Sequence, residues 1–349
     1  MLPTPLTADD FESIARERLS HMAFEYLAGG AGDEATLRWN RKSYERIRLR
    51  PRVLEDVTAI DTRVELFGAT MPAPILLAPV AYQRLFHDEG EVASVRGAGR
   101  AGATFVVSTA SNCCIEDIAA AATAPLWLQI YIQEDREYTR DLVERGRAAG
   151  VKALCLTVDT PVVGTRNRQA RANFHMPAGL GTPHLDAANR DRLSVVSPKR
   201  VAVTWADVDW LRSIAGLPLL LKGILDPDDA ARAIDHGADG ILVSNHGARN
   251  LDTVPATIDA LPHIAARVSG RVPLLLDGGI RRGTDVVKAL ALGAKAVLIG
   301  RPYAYALAAG GADGVAHLLE ILREELETVM ALLGRSRTAD LDGGVLWTL

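Results

Sequence analysis

The sequence predicts an α/β protein built as a (β/α)8 barrel (TIM barrel), on three observations. From residue 74 onward, short apolar runs alternate with longer amphipathic segments, the texture of a parallel sheet covered by helices. The runs number eight, which is the count that closes a barrel. Every run but the first also carries polar residues or glycine at its C-terminal side. An open, doubly wound sheet is the competing architecture, but it would leave edge strands, and no run has polar edge character.

The elements follow in order. Residues 1–73 lie outside the repeat and read as an N-terminal helical extension that closes the base or side of the barrel. Its start is marked by Thr7-Ala8-Asp9-Asp10, a capping-box pattern, followed by Phe11, Ile14, Ala15, Met22, Tyr26 and Leu27 at roughly helical spacing. The barrel proper, with a C-terminal helix, is assigned to residues 74–349, and the whole chain to one domain. The predicted strands are PILLAPVA from Pro74, TFVVSTAS from Thr104, LWLQIY from Leu126, ALCLTVD from Ala153, LPLLLKGI from Leu217, GILVSNHG from Gly240, PLLLDGGI from Pro273 and AVLIGRP from Ala296. DREYTRDLVERGRAAG and GTDVVKALALGA between them read as helices ending in glycine caps. After the fourth strand, a connection of about forty residues from Asp159 to Thr204 is far longer than an ordinary loop and predicts a mobile lid over the barrel mouth.

Composition narrows the function. The 349 residues are 48% apolar and 23% charged with a net charge of −4, which argues against a nucleic-acid partner. No apolar run approaches the roughly 20 residues of a membrane span. The N-terminus shows no secretory pattern, and Cys113, Cys114 and Cys155 are odd in number with two adjacent; both point to the cytoplasm. Neither CxxC nor HExxH occurs, so no metal is expected. Gly97, Gly99 and Gly102 spell GxGxxG, but they follow a helix and precede a strand, the reverse of the nucleotide-binding order. Gly29 and Gly30 read as a helix stop.

Chemistry in a barrel collects at the C-terminal ends of the strands. Those ends carry Ala81, Ser108, Gln129, Tyr131, Thr157, Asp159, Lys222, Ser244, His246, Asp277, Gly279, Gly300 and Arg301. Lys222, one of six lysines against 33 arginines, ends an aliphatic strand and is placed to offset a developing anion. After the seventh and eighth strands, Gly278, Gly279, Gly300, Arg281 and Arg301 predict a phosphate site.

The motifs SNHGARNLD (Ser244–Asp252), LTVDTP, DGGIRRGTD and IGRP together resemble the FMN-dependent α-hydroxy-acid oxidase and dehydrogenase family, over nearly the whole chain. The resemblance implies FMN as cofactor and His246 as the active-site base, with Asp159 orienting it. It implies Arg166 and Arg249 as the clamp on a substrate carboxylate, Tyr26 and Tyr131 as phenols flanking the substrate, and Lys222 beside the flavin pyrimidine ring. Ser108, Gln129, Thr157 and Ser244 are similar to polar contacts around that ring, and the backbone of Pro79, Val80 and Ala81 borders it. Asp277, Gly279, Arg281, Gly300 and Arg301 resemble ribityl and phosphate contacts. The implied reaction oxidises an (S)-2-hydroxy acid to the 2-oxo acid, with dioxygen reduced to hydrogen peroxide. Small Ala110, where glycolate oxidases carry tryptophan, and apolar Leu27 favour an aromatic substrate such as mandelate or 4-hydroxymandelate. A glycolate- or lactate-type oxidase, a monooxygenase that decarboxylates its substrate and an inert flavin-binding barrel stay open at this point. Residues 174–203 carry no apolar membrane insertion, and the resemblance implies a homo-oligomer, a tetramer or octamer.

Overall fold

The computed structural model describes residues 4–185 and 203–347. The N-terminal helices are α1 (Ala8–Arg18), α2 (His21–Ala28) and α3 (Ala35–Arg46). Thr7 caps α1 through the capping box read from the sequence. Two short antiparallel strands, β1 (Val64–Leu66) and β2 (Ala69–Met71), follow. Eight parallel strands then close a barrel: β3 (Ile75–Leu77), β4 (Phe105–Val107), β5 (Leu126–Ile130), β6 (Ala153–Thr157), β7 (Leu219–Ile224), β8 (Gly240–Val243), β9 (Leu274–Asp277) and β10 (Ala296–Ile299). Each lies within one of the eight predicted runs. The outer helices are α4 (Glu91–Arg100), α5 (Ile115–Ala120), α6 (Arg136–Ala148), α7 (Asn167–Arg171), α8 (Trp205–Ala215), α9 (Pro227–Asp235), α10 (Thr257–Val268), α11 (Gly283–Ala291) and α12 (Arg301–Leu332). The GxGxxG stretch ends α4, and a Cβ at Gly97 would lie 2.6 Å from the carbonyl oxygen of Ala312, so this glycine serves close helix packing. No described helix is long and apolar enough to cross a membrane.

Side chains alternate along a strand, and here one parity builds the barrel interior. Leu76, Val106, Trp127, Ala153, Leu220, Leu242, Leu275 and Ala296 form its inner apolar cluster, while Leu77, Phe105, Leu128, Leu154 and Leu221 pack outward into the helix layer. Two residues further along five of the inward-facing rows come Ser108, Gln129, Lys222, Ser244 and Asp277, and on the β6 row Thr157 follows Ala153 and Cys155; all six polar groups are buried.

The N-terminal extension departs from the expectation of an all-helical segment. The base of the barrel is closed by the β1–β2 hairpin, whose Val64, Leu66 and Met71 join the inner cluster. Phe67 at its tip packs on Trp127 with ring centroids 5.5 Å apart. The apolar side chains of this hairpin cover the barrel end opposite the polar ring, which leaves the polar end for chemistry.

Candidate active site

At the C-terminal mouth, the alternation turns six strand ends into a polar layer made of two hydrogen-bonded chains. Gln129 donates from Nε2 to Thr157 Oγ1 (3.0 Å), while its Oε1 accepts the backbone N–H of Thr109 (3.1 Å) and lies 3.4 Å from Ser108 Oγ. The amide is therefore fixed in orientation. Lys222 Nζ donates to Ser244 Oγ (3.0 Å), Ser244 donates to Asp277 Oδ2 (2.8 Å), and Nζ lies 3.6 Å from that carboxylate. Burial opposes the Lys222 charge, but Asp277 and Asp159 hold its affinity for a proton well above the ordinary lysine value. It stays an ammonium in a buried setting, where a charge acts strongly.

Beside this layer, Gly278 and Gly279 adopt φ of +99° and +83°. A Cβ at Gly279 would stand 1.9 Å from the Asn40 carbonyl oxygen, so only glycine fits there. Arg281 is largely enclosed, its side chain 11% exposed, and its Nε lies 3.5 Å from Asp9. Arg301 donates from Nε, Nη1 and Nη2 to the carbonyls of Leu27, Gly247 and Gly29. Burial, together with neighbouring guanidiniums, pulls both arginines below their ordinary range, Arg301 to about 9. Two largely enclosed cations whose described partners are mostly carbonyls make a favourable seat for an anion. Asp277 Oδ1 is buried and has no described hydrogen-bond partner, so it can accept from a ligand hydroxyl. A phosphate, a polyol chain and a polar ring edge match this donor and acceptor set, and FMN has all three.

The loop after β8 carries His246. Residues His246, Gly247 and Ala248 adopt φ of +58°, +61° and +60° in succession, a costly backbone for the two that bear side chains. The turn is held from both sides. Asn245 exchanges reciprocal amide hydrogen bonds with Asn40 of α3 (2.8 and 3.0 Å), and Asp252 accepts the backbone N–H groups of Asp33, Ala35 and Thr36 at the start of α3. His246 Nδ1 lies 2.8 Å from Asp159 Oδ1. That bond commits Nδ1 as donor and leaves Nε2 as the proton acceptor. Burial lowers the His246 affinity for a proton, Asp159 counters this, and Lys222 and Arg166 add to the lowering, so the imidazole is neutral near pH 7. Asp159 is pushed up by burial, yet His246 and Lys222 bring it down to about 2.

Across the mouth, Arg166 at the start of α7 donates from Nε to the Arg249 carbonyl (3.1 Å). Burial first and the Arg249 charge second bring it down to about 10, still cationic at neutral pH. Arg249 Nη1 donates to the carbonyls of Tyr26 and Gly29, and its guanidinium lies 4.9 Å over the Tyr26 ring. Tyr26 in turn stacks on Phe174 (4.5 Å, 17°) and stands 5.7 Å from Tyr82. Ala110 is buried at the edge of the same space.

All the site residues singled out from sequence line one cavity except Asp159 and Ser244, which stand behind it against His246 and Lys222. Leu27 lines it as well. Sequence reasoning missed Tyr82, Thr160, Val163, Gln169 and Phe174, which share the lining, and Gly164, Gly223 and Asn250, which shape it from behind. Gly223 alone carried a signal, as an isolated glycine inside a strand pattern. The expected lid falls partly on residues 186–202, outside the described residues. The described part of that connection contains α7 and is tied down at His184: its Nε2 accepts the Ile115 N–H (2.8 Å) and its carbonyl accepts from Gln133 (3.1 Å).

Comparison with known proteins agrees with this geometry. Residues 15–348 match the family described as FMN-dependent dehydrogenase. An L-lactate oxidase of Nostoc sp. is 47% identical over 360 residues, covering 99% of each chain. A glycolate oxidase of Spinacia oleracea is 43% identical over 336 residues, covering 93% of this chain and 91% of its own. The solved structure of a mandelate oxidase with (S)-4-hydroxymandelic acid superposes with a TM-score of 0.93 at 43% identity, covering 98% of each chain.

Proposed function

The chain belongs to the family of FMN-dependent dehydrogenases, and from that premise we propose that it oxidises aromatic (S)-2-hydroxy acids of the mandelate or 4-hydroxymandelate type to 2-oxo acids. The coarser activity, FMN-dependent 2-hydroxy-acid oxidation, follows from the family and the relatives together. When bound, FMN takes two electrons from the hydroxy acid and delivers them to dioxygen, giving hydrogen peroxide.

In this reading the substrate carboxylate sits between Arg166 and Arg249, where two guanidiniums supply directional, charge-assisted bonds. Tyr26 and Tyr131 flank it. Neutral His246 accepts a proton from the substrate at Nε2, and Asp159 stabilises the imidazolium that results. Ser108, Gln129, Thr157, Lys222 and the 79–81 backbone hold the flavin ring, with Ser244 steadying Lys222. Asp277, Gly279, Gly300, Arg281 and Arg301 hold the ribityl phosphate.

The observation carrying the aromatic reading is Ala110, buried beside an aromatic wall of Tyr26, Tyr82 and Phe174. A methyl group there leaves room for a ring that an indole would fill. The 47% identity to an L-lactate oxidase favours a second reading, a short-chain substrate. Anaerobic reduction of the FMN-loaded protein by (S)-mandelate, (S)-4-hydroxymandelate, (S)-lactate and glycolate separates the two. Faster bleaching by the aromatic acids, with peroxide formed on adding air, is the expected result. Faster bleaching by lactate or glycolate overturns the aromatic assignment, and no bleaching by any of them overturns the chemistry.

A further inference from the structure

We propose that Asn250 is a positioning residue for the His246–Asp159 pair, and that it works together with the missing side chain at Gly223. The inference rests on the reading of His246 as the base.

The two oxygens of Asp159 are treated very differently. Oδ1 faces three donors: His246 Nδ1 at 2.8 Å, Thr160 Oγ1 at 3.0 Å and Asn250 Nδ2 at 3.2 Å. Oδ2 is buried with no partner among the described residues. It lies against Gly223, where a Cβ would stand 2.5 Å from Asp159 Cβ and Cγ and 2.7 Å from Oδ2. Gly223 has φ of +108° and sits at the register shift between Lys222 and Ile224, where β7 bulges against β8. The bulge therefore opens the slot that the carboxylate fills.

Asn250 holds the carboxylate in that slot from the other side. Its Nδ2 lies 2.8 Å from the Asp159 main-chain oxygen, 3.2 Å from Oδ1 and 2.9 Å from Thr160 Oγ1. One amide thus spans the backbone and the side chain of the same residue and fixes the torsion between them. The opposite end of this amide, Oδ1, is buried with no described partner, so the site uses its donor end and leaves the acceptor unmatched. The reversed orientation would set a carbonyl against a carboxylate. A donor shared on Asp159 Oδ1 also draws electron density that His246 Nδ1–H would otherwise receive. The other groups facing this pair are Lys222 from β7, Arg166 from α7 and Tyr131 after β5.

The test is Asn250→Leu, which keeps the heavy-atom count and branching of the side chain and removes the donor, in the FMN-loaded protein. Expected are a kcat at least about tenfold lower, KM within about threefold, and an acidic limb of kcat/KM moved up by about half a pH unit, because Asp159 is left a stronger partner for the imidazolium. Asn250→Gln, which restores a donor, should return the limb to the parent position. Gly223→Ala, which pushes the carboxylate from behind, should lower kcat with FMN content unchanged. A parental pH profile in Asn250→Leu, or a loss confined to KM, overturns the proposal. His246→Asn is measured alongside. If it reduces FMN at near-parent speed, the reading of the base fails; if it is inactive while Asn250→Leu behaves as parent, only the role of Asn250 fails.

Discussion

Gly164 offers a stringent check on the carboxylate clamp, because it touches neither guanidinium. A Cβ at this position would lie 2.1 Å from the Asn250 carbonyl oxygen, 2.6 Å from Asn250 Cα and 2.7 Å from the Arg249 carbonyl oxygen. All three are backbone atoms, so no side chain can swing aside. Real Cβ atoms keep at least 3.0 Å, and the shortest of these contacts falls about 0.9 Å below that limit. Gly164→Ala must therefore separate the chain leading to Arg166 from the chain carrying Arg249 by about 1 Å. The Arg166 Nε bond to the Arg249 carbonyl, now 3.1 Å, stretches with it. A misplacement of about 1 Å costs on the order of 100-fold in rate, or about 2.7 kcal/mol of transition-state stabilisation. The assay is kcat/KM for (S)-mandelate together with the affinity for benzoylformate read from flavin absorbance. Both should weaken, with FMN content close to parent and the melting temperature lowered by only a few degrees. Gly181→Ala is the control, since a Cβ there meets nothing within 4 Å. A Gly164→Ala enzyme within threefold of parent would refute the claim that the clamp depends on this close backbone approach.

Two further outcomes are expected. Ala110→Trp should fill the space beside the aromatic wall and shift the ratio of kcat/KM for mandelate over glycolate by about 100-fold toward glycolate; an unchanged ratio, measured by peroxide release, removes Ala110 as a determinant. The acidic limb of kcat/KM should lie below the ordinary histidine value of 6.5, because burial, Lys222 and Arg166 together outweigh Asp159 in setting the His246 proton affinity. Activity is then full above that limb and falls as protons bind His246; a limb above pH 7 in the free enzyme contradicts this balance.

The eight barrel strands were legible because strands buried on both faces read as unbroken apolar runs, and their polar ends were legible by contrast. The β1–β2 hairpin was not. Its two-residue turn has positive φ at Phe67 (+49°) and Gly68 (+76°), a geometry that ordinarily takes Asn-Gly. Phenylalanine occupies the first position because it packs on Trp127, so tertiary packing overrode the turn signal. Asn250 and Gly164 were hidden for a different reason. They act on residues about ninety positions away in sequence, and nothing local marks such contacts. Lys222, Asp277 and His246 could be singled out because a charged or titratable group at the end of an aliphatic strand is conspicuous without any knowledge of its partners.

The shared parity of the barrel interior also limits how such a chain can diverge. Adding or deleting one residue within β7 ahead of Lys222 would turn the ammonium toward the helix layer and bring an aliphatic side chain into its place. The same holds for Ser108, Thr157, Ser244 and Asp277 at the ends of their strands. Length variation among descendants should therefore concentrate in the connections, above all in the segment between α7 and α8, while the strands change only by replacement of one side chain for another.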